Sequence, residues 1–440
     1  MKHVLVLGAG LVARPYVQYM LDHDYLVTVA SRTVSKAMQL IGDHPNGEAK
    51  AFDITRQSKE LKELIKPVNL VVSLLPYTFH VQVARECLRY KVDMVTTSYV
   101  SDEMRSLDEQ ARHAEIILLN ECGVDPGQDH MSAMKIIHQA KAVGGKVVSF
   151  TSFTGGLPAP DANTNPFGYK LSWSPRGVLL AGRNSAQFLK EGKIVEIPSE
   201  ELFNSCHVEW IPELGDFEGY PNRNSLQYID IYGLQGIKTM LRGTLRFPGW
   251  CKTMYNMGQL GLFELDEQKL SNLTYADFMH DYLNLPTGSN LKEQVAKRLN
   301  LPHDDEIIER YEWLGLFSDH TIPLDRGAPL DVLVSLFEEK LQYSPGERDM
   351  IVMQHKFTIE HQDNSQEHIS STLIDYGIPN GDSSMSRTVA LPAAIASHLI
   401  LTGEVQLKGV HIPIEPKIYE PVLEELATMG IQFKEESTRT

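Results

Sequence analysis

The apolar run His3–Leu7 (HVLVL) is followed at once by Gly8-Ala9-Gly10-Leu11-Val12-Ala13. A short run of this kind is what a strand buried on both faces requires. The glycines then match G-x-G-x-x-G/A. Gly8 permits a tight turn, Gly10 lets a diphosphate approach the backbone, and Ala13 is small enough for a helix to lie close on the strand. The run Tyr16–His23 is amphipathic, so the turn opens a helix whose N-terminal N–H groups and dipole favour phosphate. Alone the motif is weak. The strand before it and the helix after it supply the context of a dinucleotide site, against the competing reading of a plain glycine turn.

A second apolar run, Leu26–Ala30, ends in Ser31-Arg32-Thr33. An acidic residue at this place would hold the ribose 2′-hydroxyl of NAD, and none is present. Arg32 can pair with a 2′-phosphate, with Ser31 and Thr33 as neutral donors, so the ending points to NADP. The competing reading of Arg32 is a solvated surface arginine. Further runs follow the same plan. Ala49–Phe52 leads into Asp53-Ile54, a contact for the adenine edge; Leu70–Leu74 ends in Leu75-Pro76-Tyr77; Met94–Thr97 ends in Ser98-Tyr99; Ile116–Leu119 ends in Asn120-Glu121. Phe79–Arg89 and Met104–Ala114 read as helices between them. Alternating strands and helices imply a parallel sheet, whose ligands bind beyond the carboxyl ends of the strands. Leu75, Ser98, Tyr99 and the segment CGVDPGQDH (Cys122–His130) are therefore the residues to watch. Pro126 and Gly127 predict a sharp turn, Asp129 is a candidate N-cap for a helix from about Met131 to Ala142, and Asp125 faces the crevice. Plain turn and cap duty suits both aspartates equally.

A length of 440 residues suggests two or three domains. With 42% hydrophobic and 22% charged residues the composition is that of a soluble globular protein. The formal net charge of −16 disfavours nucleic acid, whose phosphates demand Lys/Arg surfaces. A few local arginines can still serve an anionic small ligand. No apolar run reaches membrane-spanning length, and the N-terminus makes a poor signal peptide, so a cytoplasmic enzyme or binding protein is expected. Cys87, Cys122, Cys206 and Cys251 show neither C-x-x-C nor zinc spacing. They read as reduced, buried thiols, with no metal.

Gly155 to Gly177 reads GGLPAPDANTNPFGYKLSWSPRG, where eight of 23 residues are Gly or Pro. A regular helix is excluded. Phe167, Tyr169, Leu171 and Trp173 alternate, so the stretch reads as a shaped loop leading into a short strand, and its aromatics argue against disorder.

GAGLVARP, SLLPYTFH, TTSYVS, GVDPGQDH, this aromatic loop with its continuation GVLL, SMSRTVALPAAIASHLILTG and GVHIPI stand here in the order seen in the saccharopine dehydrogenases of the NADP-dependent, glutamate-forming type. The chain resembles that family from Val4 to about Ile431. The resemblance implies an α/β protein: a Rossmann-type parallel-sheet NADP domain (1–125 and 390–440), a second α/β substrate domain (126–249 and 346–389) and a helical insertion (250–345). The sequence agrees: Ala276–Leu283, Leu291–Leu299 and Leu330–Leu341 are amphipathic, and residues 350–376 alternate like strands. Carried over residue by residue, Gly8 and Gly10, Leu11, Val12 and Ala13 hold the diphosphate, and Ser31, Arg32 and Thr33 the 2′-phosphate. Asp53 and Ile54 bracket the adenine. Leu75, Thr97, Ser98, Val124, Asp125, Gly127 and Met131 line the nicotinamide half, and Ser174 reaches the cofactor from the second domain. Ser98, Tyr99, Asp125, Arg223 and Thr244 contact substrate, Asp125 and Tyr99 being the candidate catalytic residues. Asn224 stands where the family often has Asp, which loosens the match around Arg223. The loop Gly155–Gly177 would wall the cleft between the domains, with Phe167, Tyr169 and Trp173 packed behind the site or merely filling the core.

The implied activity converts saccharopine, a small-molecule substrate with three carboxylates, to glutamate and 2-aminoadipate 6-semialdehyde. Carboxylates call for fork-shaped donors: Arg223, with Arg242 or Arg246 as further candidates. A homodimer is implied as well. Three alternatives stand beside this reading: a carboxynorspermidine-type dehydrogenase, which needs a cleft richer in Asp and Glu; a non-catalytic NADP-binding sensor, which would have lost substrate positions; and an NAD enzyme of the lysine-forming type, which Arg32 opposes.

Overall fold

The structure, a computed structural model, describes residues 1–56, 58–286 and 290–440. The chain forms two compact units, Met1–Lys146 with Ile359–Glu367 and Ser371–Thr440, and Val147–Thr358 with His368–Ser370.

The first unit is built on a seven-stranded sheet in the order Gly409–His411, Ile117–Leu119, Asp93–Thr96, Leu70–Ser73, His3–Leu7, Leu26–Ser31, Gly47–Ala51. All neighbours are parallel. Helices on its faces bury the inner strands, which is why these read as continuous apolar runs: Val4 to Leu7 and Leu70 to Val72 have no exposed surface. The chain winds outward from His3–Leu7 in one direction and then returns to Leu70–Ser73 on its other side, so the switch point lies between these two strands.

The alanine-rich segment is the helix Ser384–Thr402. Ala390, Ala393, Ala394 and Ala396 are wholly buried, and such small side chains let it lie close to Ala13–Asp22, to which it is joined by the Tyr16 hydroxyl donating to Ser397 Oγ at 2.8 Å. The helix Gln128–Ala142 also belongs to this unit, beyond the expected boundary at 125. Buried bonds hold it and the segment before it there: Gln128 Nε2 donates to the Thr388 carbonyl at 2.7 Å and, ahead of the helix, Cys122 Sγ to that of Pro392 at 3.5 Å.

The second unit is a mixed sheet in the order His207–Ile211, Gly215–Pro221, Thr239–Arg246, Lys146–Pro158, Asp349–Glu360, with the hairpin Ala186–Lys190 and Lys193–Ile197 attached to Thr239–Arg246. Thr239–Arg246 runs parallel to Lys146–Pro158 and antiparallel to Gly215–Pro221. Between residues 250 and 345 come the helices Trp250–Gln259, Tyr275–Tyr282, Leu291–Arg298, Glu306–Leu314 and Pro329–Lys340, and a short ribbon of Gln268–Lys269 with Arg326–Gly327.

Two local expectations are corrected. Gly155 and Gly156 lie inside the strand Lys146–Pro158, and the stretch Phe167–Trp173 is not a strand. Pro166 and Gly168 interrupt it, Gly168 at φ 58°. Its alternation arises from packing: Phe167 meets Trp250 and Phe337 edge-on and Trp313 at a tilt, and Tyr169 lies tilted against Trp250. Those two rings are core of the second unit, whereas Trp173 is 52% exposed. Nor is Asp129 the N-cap. The helix begins at Gln128, and Asp129 Oδ1 reaches back from its first turn to accept the Gly127 N–H at 2.5 Å.

That corner requires glycine. Gly127 has φ 148°, and a Cβ on it would overlap the backbone of Gly123. Gly127→Ala should therefore lower the unfolding free energy by roughly 3 kcal/mol or more, as backbone strain adds to overlap with atoms that cannot move aside. Urea denaturation of both proteins checks this, and an unchanged midpoint would refute it.

Candidate functional site

Three groups of residues gather at the carboxyl ends of the parallel strands. The first is the glycine turn. Gly8 has φ 109° and donates its N–H to Ala30 at 2.9 Å. A Cβ there would stand 2.9 Å from the Leu74 carbonyl oxygen, so the turn closes against the end of the neighbouring strand only because Gly8 lacks one. Gly10 is different. A Cβ on it would meet nothing within 4 Å, which leaves open space beside the backbone. The helix Ala13–Asp22 has no side-chain cap and no acidic residue in its first turn, and Ala13 is fully buried. Leu11 is 76% exposed. These features fit a diphosphate set against backbone N–H groups.

The second group closes the next strand. Ser31 is half-buried, and Arg32 and Thr33 are exposed. Ser31 Oγ accepts the Thr33 N–H at 3.3 Å. Asp53 Oδ1 accepts from the Thr55 hydroxyl at 2.7 Å and its N–H at 3.0 Å. The Thr55 bonds hold the Asp53 carboxyl below its ordinary range, with smaller contributions from Arg56 and Arg32. Ile54 is only 8% exposed and packs in the core with Phe52, Leu61 and Ile65, so it offers little more than its backbone.

The third group was partly missed by the sequence reading. Ser98 is held by a buried chain of side chains. Ser73 Oγ meets His80 Nδ1 at 2.8 Å, and His80 Nε2 meets Ser98 Oγ at 2.8 Å and Thr96 Oγ1 at 3.2 Å. The Tyr99 hydroxyl donates to Asp125 Oδ1 at 3.0 Å, so the two candidate catalytic residues are a pair. Asp125 precedes Pro126 in a cis peptide. Beneath lies a second buried cluster. Glu121 accepts the Val100 N–H at 2.9 Å and meets His130 Nε2 at 2.7 Å, while His130 Nδ1 is 3.6 Å from Asp129. Glu121, Asp129 and His130 are each at most 3% exposed. Thr97 and Val124 flank these residues, and Met131 is buried below them. The motifs SLLPYTFH and GVDPGQDH contained His80 and His130, but spacing alone does not tell a helix-face histidine from one that bridges two strand ends.

The second unit carries the remaining candidates. Arg223 is exposed, at φ 52°, in the loop after Gly215–Pro221. Asn224 Oδ1 accepts the Leu226 N–H at 2.9 Å, a turn bond that the family's usual aspartate could equally form. Thr244 hydrogen-bonds the Tyr220 hydroxyl, whose pKa is pushed up by burial. Arg246, two residues on, is 8% exposed with its guanidinium over Tyr169 and Trp250, at 5.1 and 5.5 Å from the ring centroids. Its Nη1 donates to the Leu245 carbonyl at 2.7 Å, but Arg246 Nε, Thr154 Oγ1 and Trp250 Nε1 are buried with no hydrogen-bond partner among the described residues. Thr154 stands opposite Thr244 in the sheet. Buried donors left unspent are costly unless an acceptor joins them, and a carboxylate is the acceptor a guanidinium fits best. Ser174 Oγ caps the helix Pro175–Leu180, accepting from Gly177 N at 3.2 Å, and retains its own proton to donate.

A parallel sheet with a glycine turn at its switch point, followed by a mixed-sheet unit that buries Arg242 and Arg246, is the build of a two-part dinucleotide-dependent oxidoreductase. Residues 4–119 match the family profile "Saccharopine dehydrogenase NADP binding domain" and residues 123–431 match "Saccharopine dehydrogenase C-terminal domain". The chain belongs to the saccharopine dehydrogenase family, and its cofactor is NADP. It is 40% identical to the saccharopine dehydrogenase [NADP(+), L-glutamate-forming] of Saccharomyces cerevisiae, over 99% of each chain. It is 38% identical to the mitochondrial alpha-aminoadipic semialdehyde synthase of Bos taurus, matching 99% of this chain and 48% of that one. The solved apo structure of the Saccharomyces cerevisiae L-Glu-forming saccharopine dehydrogenase matches with a TM-score of 0.91, 39% identity and full coverage of both chains.

The histidine in the Ser73–Ser98 chain makes a pH prediction. Burial pulls its pKa down from 6.5 to about 4. Between those values the unfolded chain binds more protons than the folded one. The contribution is complete above pH 6.5 and is lost as pH falls towards 4. The change amounts to about 3 kcal/mol. Urea unfolding across this window should show wild type losing about that much more stability than His80→Gln, which cannot titrate there. Parallel stability curves would refute the assignment.

Proposed function

We infer that this protein interconverts L-saccharopine with L-glutamate and L-2-aminoadipate 6-semialdehyde, using NADP(H), in lysine metabolism. The observation that carries this is the 40% identity to a glutamate-forming enzyme across 99% of both chains. The cationic strand ending at Arg32 agrees with it. When bound, NADP(H) would supply the hydride acceptor or donor for the carbon beside the secondary amine. The protein must hold that carbon in place, relieve the amine of its proton and admit water to the substrate imine.

Gly8, Gly10, Leu11, Val12 and Ala13 hold the diphosphate in this reading, and Ser31, Arg32 and Thr33 the 2′-phosphate. Asp53 and the Ile54 backbone meet the adenine. Leu75, Thr97, Ser98, Val124, Asp125, Gly127 and Met131 surround the nicotinamide half, and Ser174 is a further cofactor contact. Ser98, Tyr99, Asp125, Arg223 and Thr244 bind substrate. Arg246 joins them, because its unspent Nε suits one of the three carboxylates. Asp125, held by the Tyr99 hydroxyl, takes the amine proton. The division of labour follows the family resemblance with the boundaries of the two compact units: cofactor on Met1–Lys146 and Ser371–Thr440, substrate on Val147–Thr358, within which 250–345 is a helical insertion. A cytoplasmic homodimer belongs to the same reading.

The test is an initial-rate assay with L-saccharopine, following the absorbance of reduced cofactor with NADP and with NAD. Turnover with NADP and release of glutamate are expected. Turnover with NAD alone would overturn the cofactor assignment, and no turnover with either would overturn the reaction. Arg32→Ala should raise KM for NADP by roughly tenfold to a hundredfold, the worth of one or two charge-assisted bonds, and leave KM for saccharopine nearly unchanged. Gly10→Ala should weaken NADP binding while the melting temperature holds, since its Cβ meets no protein atom within 4 Å. A fall in melting temperature with intact binding would refute that role.

A further inference from the structure

The second unit holds two thiols that the reaction above does not use. Cys206 follows the short turn Phe203–Ser205 and leads into the edge strand His207–Ile211, and Cys251 is the second residue of the helix Trp250–Gln259. Distant in sequence, they meet in the fold. The two sulfurs and a carboxylate oxygen of Glu218 all lie within 4.8 Å of one another.

The surroundings make the two thiols unlike. Cys206 is half-buried and reachable, and Cys251 is buried. The Cys251 thiol donates a hydrogen bond to the Cys206 sulfur, which holds Cys206 below its ordinary pKa against the opposing effects of burial and Glu218. Cys251 is pushed far up by the same bond, by burial and by the adjacent Cys206 and Glu218. Glu218 is itself committed. Its Oε1 accepts the Gly249 N–H at 2.8 Å and its Oε2 the Cys251 N–H at 2.7 Å, capping the helix. A cation would have to share both oxygens with the helix end, so the arrangement favours sulfur chemistry between the thiols over metal binding.

We propose that Cys206 and Cys251 form a reversible two-electron oxidation site, in which Cys206 reacts with a peroxide and Cys251 resolves the product to a disulfide. The Cys206 thiolate attacks one peroxide oxygen, the O–O bond breaks, hydroxide leaves and Cys206 becomes a sulfenic acid. The Cys251 sulfur then attacks the Cys206 sulfur, the S–O bond breaks, and the departing oxygen takes the Cys251 proton and leaves as water. The two thiols lose two electrons and the peroxide gains them. An accessible, thiolate-prone cysteine beside a resolving one is the arrangement such oxidation selects. The sulfurs lie within 4.8 Å and need to approach by less than about 3 Å to reach bonding distance.

The experiment uses the full-length reduced protein, treated with a small excess of hydrogen peroxide, denatured in N-ethylmaleimide and mapped by mass spectrometry. Of the four cysteines, two should escape alkylation, appear as one linked peptide pair joining Cys206 to Cys251, and regain reactivity after dithiothreitol. In Cys251→Ser, dimedone should trap a sulfenic acid on Cys206. Wild-type protein that keeps every thiol alkylatable, or that oxidises Cys206 without the linked pair, would overturn the proposal. So would stoichiometric zinc binding to the reduced protein that Cys206→Ser abolishes, which would make the group a metal site. The wild-type map needs no variant, so the result stands even if a substitution fails to fold.

Discussion

The first unit depends on the contact between Gly8 and the backbone of Leu74. The strands His3–Leu7 and Leu70–Ser73 lie side by side, and Leu74 donates its N–H to the Leu7 carbonyl at 2.9 Å. With the two strand ends so tied, the chain leaving His3–Leu7 must turn inside the space a side chain would fill. Gly8 does so at a positive φ, and the helix Ala13–Asp22 then starts directly over the sheet. Everything placed near the switch point inherits this geometry: the open space at Gly10, the uncapped helix end and the segment beginning at Leu75. One missing Cβ thus converts a strand crossing into a place where backbone N–H groups face a ligand.

Buried polar groups give the site its definition, more than surface charge does. Exposed pairs such as Arg85–Glu103 and Arg112–Asp108 are each worth at most about 1 kcal/mol, because water screens them. The Ser73–His80–Ser98 chain and the Glu121–His130–Asp129 cluster stand in another regime. All of these groups except the half-buried Ser98 are out of water, so each must keep its partner, and losing one leaves the others unsatisfied at a cost of about 1–3 kcal/mol apiece. That requirement fixes the Ser98 hydroxyl and the corner Cys122–Gly127. The second unit shows the converse at Arg246, whose buried Nε finds no acceptor among the described residues.

The elements of the first unit were legible because their physics is local. An apolar run, a G-x-G-x-x-A turn and an amphipathic stretch each carry their own periodicity, and the strands fall within a few residues of expectation, although the expected helix Met104–Ala114 is two, Asp102–Arg105 and Asp108–Ala114. The stretch Phe167–Trp173 shows where that reasoning fails. Its alternation is the same pattern a strand would give, but the rings are ordered by Trp250, Trp313 and Phe337, residues far along the chain. Asp129 failed as an N-cap for a related reason. Its carboxylate serves the N–H of Gly127, and only the closed corner at Gly127 reveals this.

The sequence by itself determined the class of fold, the dinucleotide turn, the cationic end of the second strand and membership of a family, since all of these are written in contiguous residues. Only the tertiary structure decided which polar groups share a buried space. It brought Ser73 to Ser98 through His80, left Arg246 with an unspent donor, moved Gln128–Ala142 into the first unit and set Cys206 beside Cys251. Such pairings join residues whose separation along the chain carries no periodic signal. They exist because a closed core must satisfy every polar atom it buries, and which atoms those are is settled only when the core closes.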